Sequence, residues 1–125
     1  MNGKILIVDD EAHLRMLIQQ ALEDLEDEGV QLMTATNGDE AMAAIQAERP
    51  NLVFLDVMMP KRSGFDVCHH AKHTLGLADV YIVLLTAKGQ EFDRQKGRDV
   101  GADLYMTKPF DPNALLGKAR EVLGM

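Results

Sequence analysis

Five polar residues of this 125-residue chain stand where apolar runs stop. Asp9 and Asp10 follow Lys4 to Val8, Asp56 follows Leu52 to Leu55, Thr86 follows Val80 to Leu85, and Lys108 follows Asp103 to Thr107. Brought into one small cleft, three carboxylates and one ammonium would sum to −2. Carboxylates packed that closely repel one another, and some take up protons. A divalent cation removes the conflict. All-oxygen ligation with room for water suits Mg²⁺ or Mn²⁺ better than Zn²⁺. With the metal in place the cleft is near neutral and has room for a phosphoryl group. Lys108 can then pair with one phosphoryl oxygen and Thr86 can donate to another. A carboxylate can serve as nucleophile and form an acyl phosphate. Asp56, alone on its strand, is the natural nucleophile, which leaves Asp9 and Asp10 to hold the metal.

For this to happen the chain must bring those ends together. The unbroken run Leu52, Val53, Phe54, Leu55 suits a strand buried on both faces of a parallel sheet. Pro60 cannot continue its ladder, and Gly64 gives the following loop freedom. Lys4 to Val8 is a second apolar strand. The acids at 9 to 11 then lie at the start of a helix, where negative charge is favoured. Its apolar positions Leu14, Leu17, Ile18, Ala21, Leu22 and Leu25 recur at helical spacing. Val30 to Thr36 is a more polar, edge-like strand. Asn37-Gly38-Asp39 turns into a helix from Glu40 to Glu48, with Ala41, Ala44 and Ile45 inward and Arg49-Pro50 as its stop. A third helix carries Phe65, Cys68, Ala71, Lys72 and Leu75 on one stripe. Val80 to Leu85 is a fully apolar strand. Gly89 to Gly101 makes a poor helix, with Gly97 costing about 1 kcal/mol relative to Ala. Asp103 to Thr107 is the last strand, and Asp111 caps a final helix with Pro112 at its first position.

Strand then helix, five times, implies an α/β doubly wound parallel sheet in a single domain over residues 1–125. The polar ends meet if the first and third strands are neighbours and the second lies outside. That is the flavodoxin-like (βα)5 order 2-1-3-4-5, whose crevice opens between strands one and three.

Composition narrows the function further. The chain is 46% hydrophobic and 26% charged, with no Trp. Its net charge of −7 opposes direct binding to nucleic acid or anionic membranes. No apolar run reaches membrane-spanning length. Met1 to Lys4 leads straight into the first strand, so no signal peptide is expected. A single cysteine, Cys68, forbids an intrachain disulfide and fits a reduced, cytoplasmic setting.

From Lys4 to Leu123 the sequence resembles the receiver domain of two-component response regulators. The matching pieces are Asp9-Asp10, Asp56, Pro60 with Gly64, Thr86-Ala87 and Lys108-Pro109-Phe110, each after its own strand. The resemblance implies a phosphorylation-dependent signalling switch. Asp56 would accept a phosphoryl group from a sensor histidine kinase or phosphotransfer protein. Mg²⁺ would be bound by Asp10, Asp56 and the main-chain carbonyl of Met58, with Asp9 assisting through water. Thr86 would move toward the phosphoryl group and Tyr105 would turn inward. The changed face of fourth helix, fifth strand and fifth helix would control a downstream partner or fused output domain. The Lys108-Pro109 bond would be cis. The protein would not be an enzyme beyond slow self-catalysed phosphorylation and dephosphorylation. Leu104 stands where many DNA-binding relatives carry an acid, which puts their charged dimer face in doubt. With no output domain after the last helix, a stand-alone or excised receiver is expected.

Three rivals share parts of this pattern. A Mg²⁺-dependent phosphatase of the haloacid dehalogenase type also uses an Asp nucleophile, but with an Asp-x-Asp pair on its first strand. Flavodoxin has the same sheet order but needs a Ser/Thr/Gly-rich loop for FMN where this chain has three acids. A receiver-like binding module that is never phosphorylated would not need the full acid, Thr and Lys set. His69, His70 and His73 read as a solvated helix face, although the 69/73 pair has metal-capable spacing. Cys68 falls on the buried stripe and reads as core. Met58 and Lys88 flank the expected site without offering a group that deprotonates water, so a long-lived phosphoryl group is expected.

Overall fold

The computed structural model describes residues 3–87, 95–96, 98–108 and 111–125. Lys88, most of the expected helix over Gly89 to Gly101, and Pro109-Phe110 with the expected cis bond lie outside these residues. Five strands form one parallel sheet: β1 (Lys4–Val8), β2 (Gln31–Ala35), β3 (Leu52–Asp56), β4 (Tyr81–Ala87) and β5 (Leu104–Lys108). Their order is β2-β1-β3-β4-β5, as the placement of the polar ends requires. The helices are α1 (Ala12–Ala21), α2 (Glu23–Asp27), α3 (Gly38–Glu48), α4 (Gly64–His69) and α5 (Pro112–Leu123). A π-helical turn, His70–Thr74, continues α4. Between β4 and β5, Gln95, Lys96, Arg98 and Asp99 are helical.

Alternation along each strand sends side chains to opposite faces, and each face has its own apolar cluster. On one, Leu6, Val8, Val53, Leu55, Ile82 and Leu84 pack with Ala41 and Ile45 of α3 and Phe65, Val67 and Cys68 of α4. On the other, Ile5, Ile7, Phe54, Val83 and Leu85 pack with Ile18, Leu22, Leu25, Leu115 and Ala119. Helices thus cover both faces, which is why the central strands read as continuous apolar runs.

Local signals set most helix starts. The side chain of Asn37 accepts from the N–H of Glu40 at 2.9 Å, Ser63 from that of Asp66 at 3.2 Å, and Asp111 from that of Asn113 at 2.9 Å. These caps satisfy donors that have no intrahelical partner. With Asn37 as cap, α3 begins at Gly38, two residues before the expected start. At its far end Arg49 takes a left-handed conformation, φ 46°, ahead of Pro50.

Three expectations needed correction. The single first helix is divided at Leu22, whose φ of −102° and ψ of 8° leave the helical range. Leu17 is exposed there, because it lies one residue off the stripe defined by Ile18, Leu22 and Leu25. In the third predicted helix Val67 is buried, whereas Leu75 is exposed. The π turn closes through Leu75 N–H to His70 O at 2.9 Å, an i→i+5 bond that takes Leu75 out of α-helical register. Lys72 does lie on the inner side, but as a cation with partners. Its Nζ donates to Val80 O at 2.6 Å and pairs with Asp103 at 2.7 Å. Asp103 in turn accepts from the N–H of Ile82 at 2.8 Å.

Candidate functional site

The strand register places the polar ends side by side. Val8 pairs with Leu55, so Asp9 follows β1 next to Asp56, the last residue of β3. Asp56 pairs with Leu85, one residue before Thr86. Thr86 pairs with Thr107, and Ala87 with Lys108. Five expected residues, Asp9, Asp10, Asp56, Thr86 and Lys108, thus come to one edge of the sheet.

Asp9 is fully buried and Asp56 is 5% exposed, whereas Asp10 is exposed. Carboxylate oxygens of all three lie within 4.8 Å of one another. Lys108 Nζ stands between two of them, 3.2 Å from Asp9 Oδ2 and 3.1 Å from Asp56 Oδ1. The other oxygen of Asp9 accepts from the N–H of Glu11 at 2.9 Å, and its main-chain carbonyl accepts from Arg15 Nη1 at 2.7 Å. The N–H of Met58 reaches Asp56 Oδ1 at 3.4 Å. Thr86 is buried in β4. Tyr105, in β5, is partly buried and packs against the apolar cluster under α3 and α4. The Met58 side chain is 72% exposed beside the cleft.

The electrostatics follow from burial. Loss of water, and then the charge of Asp9, push the Asp56 carboxyl up to about 6, despite the opposing pull of Lys108 and the Met58 N–H. Burial drags Lys108 down, but Asp56 and then Asp9 outweigh it, and its pKa is raised. The ammonium therefore stays charged, and one positive charge serves two buried carboxylates. The residues fit a hard divalent cation: carboxylate oxygens are gathered within ligating reach, and their repulsion is what such an ion relieves.

The loop after β3 is held by contacts that the sequence only hinted at. Gly64 is not in the left-handed region; Lys61 is, at φ 74°. Gly64 is needed for close approach instead. A Cβ there would meet the main chain of Asp56 and stand 2.9 Å from the Val57 Cα. Its N–H donates to Val57 O at 2.8 Å. Gly38 plays the same part across the loop, where a Cβ would meet Arg62. The spacing of acids could not reveal Arg15, whose only signal is its place one helical turn beyond Asp10 and Glu11.

The remaining marked residues lie elsewhere. His69 and His73 are exposed and His70 is half-buried, all away from the acid cleft. Cys68 is buried, and burial pushes its thiol up to about 12, which suits an inert core residue.

A parallel sheet of this order with acids, a Thr and a Lys at its carboxyl edge defines a class, and the family comparison names it. Residues 5–120 match the response regulator receiver domain model, and the chain belongs to that family. It is 44% identical over 120 residues to a probable transcriptional regulator, ycf27, of Pyropia yezoensis, covering 96% of this chain and 47% of that one. It is 42% identical over 123 residues to the alkaline phosphatase synthesis transcriptional regulatory protein PhoP of Bacillus subtilis, covering 98% and 49%. The chain spans about half the length of these relatives. Among solved structures, the BeF3-activated DrrB receiver domain superposes with a TM-score of 0.86 at 31% identity, covering 100% of both chains. Chemotaxis response regulator CheY4 of Vibrio cholerae gives 0.84 at 31% identity, covering 98% of this chain and 99% of that one. Family membership leaves the dehalogenase-type and flavodoxin readings without support.

Proposed function

We propose that Asp56 is the acceptor in a Mg²⁺-dependent phosphoryl transfer from the phosphohistidine of a sensor histidine kinase or phosphotransfer protein. One observation carries the reading: Lys108 Nζ lies within 3.2 Å of Asp9 and 3.1 Å of Asp56 in a cleft with three gathered carboxylates. A carboxylate oxygen of Asp56 attacks phosphorus. The P–N bond to the donor imidazole breaks, its electron pair returns to the ring nitrogen, and the product is an aspartyl phosphate. Asp9, Asp10, Asp56 and the main-chain carbonyl of Met58 would hold the metal, Asp9 through water. Bound Mg²⁺, or Mn²⁺ in its place, supplies positive charge to the phosphoryl oxygens.

The chain's own groups do the rest. Burial strips water from Asp56, so its ionised form is poised to react. Lys108 follows the charge, shifting from the carboxylates to a phosphoryl oxygen. The Thr86 hydroxyl donates to another, and that movement draws Tyr105 inward. Positioning and electrostatics dominate, as in phosphoryl transfer generally. The protein acts as a switch rather than an enzyme, with only slow self-catalysed gain and loss of phosphate. The readout is the face made by the β4–β5 connection, β5 and α5, which acts on a downstream protein or a fused output domain. The transcriptional regulators among its relatives favour an output of that kind. Residues 1–125 work as a single receiver domain in the cytoplasm, without inserting in a membrane or binding nucleic acid directly.

The test is incubation with acetyl phosphate and Mg²⁺, read by intact mass. One added phosphoryl group is expected, lost with Asp56→Asn and with chelator. Labelling that persists in Asp56→Asn would move the acceptor elsewhere. A fully folded wild type that never labels would favour an unphosphorylated binding module.

A further inference from the structure

We propose that His69 and His73 form a second metal site, for a borderline divalent transition ion such as Zn²⁺ or Cu²⁺, separate from the acid cleft. The two rings approach with centroids 4.8 Å apart and planes inclined by 38°, and both side chains are exposed. The backbone explains the meeting. In a regular α-helix four residues advance about 400°, so side chains at i and i+4 are offset by about 40°. Here α4 passes into the π turn at His70, and a π turn closes one residue later, through an i→i+5 bond. His69 (φ −59°, ψ −47°) and His70 (φ −61°, ψ −46°) keep ordinary α-helical angles, and residues four apart on such a helix are surface neighbours. The two rings thus meet on one side of the helix, tilted rather than parallel.

Two imidazoles at this separation suit a metal–nitrogen distance of about 2.0–2.1 Å after small ring rotations. Imidazole nitrogen selects Zn²⁺, Cu²⁺ or Ni²⁺ over Mg²⁺, which prefers oxygen. Asp9, Asp10 and Asp56 are the one group of three potential ligating side chains among the described residues. Among the described residues the His pair therefore offers two ligands, with water to complete the shell, and two ligands give a modest affinity. Its place in the fold gives occupancy a structural target. His73 Nε2 and the Lys72 stem face Gly101, where an added Cβ would stand 3.2 and 3.3 Å from them. An ion that pins His73 thus acts next to the turn leading into β5.

The test is titration of the Mg²⁺-saturated chain with Zn²⁺ by calorimetry. One Zn²⁺ per chain is expected. Either His69→Gln or His73→Gln should weaken binding about tenfold or more, since losing even an outer-shell partner of a metal ligand costs 10–100-fold. His13→Gln, His70→Gln and Asp10→Asn should leave it unchanged. Cu²⁺ added at substoichiometric levels should broaden the amide resonances of residues 69, 73 and 101 first. Zn²⁺ binding that survives both His variants, that disappears with Asp10→Asn, or that is not seen at all would overturn the proposal. So would broadening confined to the acid cleft.

Discussion

Gly64 lies directly against the main chain of Asp56, with no room between them for a Cβ. The helix that follows the site, α4, is thereby pressed onto the carboxyl end of β3, and its first N–H is tied to Val57 O. The loop carrying Met58 must arch out between these two fixed points. Backbone packing therefore sets where the Asp56 carboxylate points, and the ionic partners act on a geometry already imposed.

Gly64→Ala should accordingly harm both stability and chemistry. Overpacking of this kind costs about 1–3 kcal/mol, and the atoms met are main chain, which cannot swing aside. Urea unfolding should show that loss, and acetyl phosphate labelling should slow at equal folded fraction. Full stability with slowed labelling would show instead that the loop, not the strand, had yielded.

Asp56 predicts a pH signature in metal-free protein. Its carboxyl titrates near 6 in the fold, raised by burial and then by Asp9, and near 3.8 when unfolded. Between those values the folded state holds the extra proton, so this group's stabilisation is present below about 4 and lost as the pH climbs through 6. The stability of Asp56→Asn relative to wild type should rise across that window in chelator, and saturating Mg²⁺ should reverse much of the rise. Parallel pH curves for the two proteins would contradict the assignment.

Lys72 and Asp103 should be coupled. The Lys72 side chain is 9% exposed and that of Asp103 30%, and among the described residues Lys72→Met leaves the Asp103 carboxylate with the Ile82 N–H. Breaking a buried pair by removing one partner costs roughly 3–5 kcal/mol, and the partial exposure of Asp103 puts this case at or below the low end. A double-mutant cycle with Asp103→Asn, followed by urea unfolding, should give the pair a favourable coupling energy. Additive effects would mean that Lys72 contributes through its stem alone.

Met58 should influence how long the phosphoryl group lasts. Its side chain stands in solvent two residues past Asp56 and has nothing with which to orient water. Met58→Asn should speed first-order loss of the phosphorylated mass after acetyl phosphate is removed, at constant Mg²⁺. An unchanged or slower loss would remove position 58 from the control of water access.

The sequence alone determined the fold class, the strand order and the five residues of the cleft. It could do so because a strand buried on both faces must be apolar throughout, so Asp9, Asp56 and Thr86 stand out at the ends of such runs. Capping residues such as Asn37, Ser63 and Asp111 are equally legible, since their bonds reach only two or three positions along the chain. Tertiary structure decided what depends on contacts between distant segments. Lys108 is 99 residues from Asp9, and only the register of four strands makes one ammonium serve two carboxylates. Gly64 reads as a flexible joint until the Asp56 backbone is seen against it. Lys72 reads as an unexplained cation on the apolar stripe of its helix until Asp103, ahead of β5, and Val80, ahead of β4, are seen to close on it. The spacing of His69 and His73 is legible in the chain, but the π turn His70–Thr74 and the closeness of His73 to Gly101 are seen only in the fold.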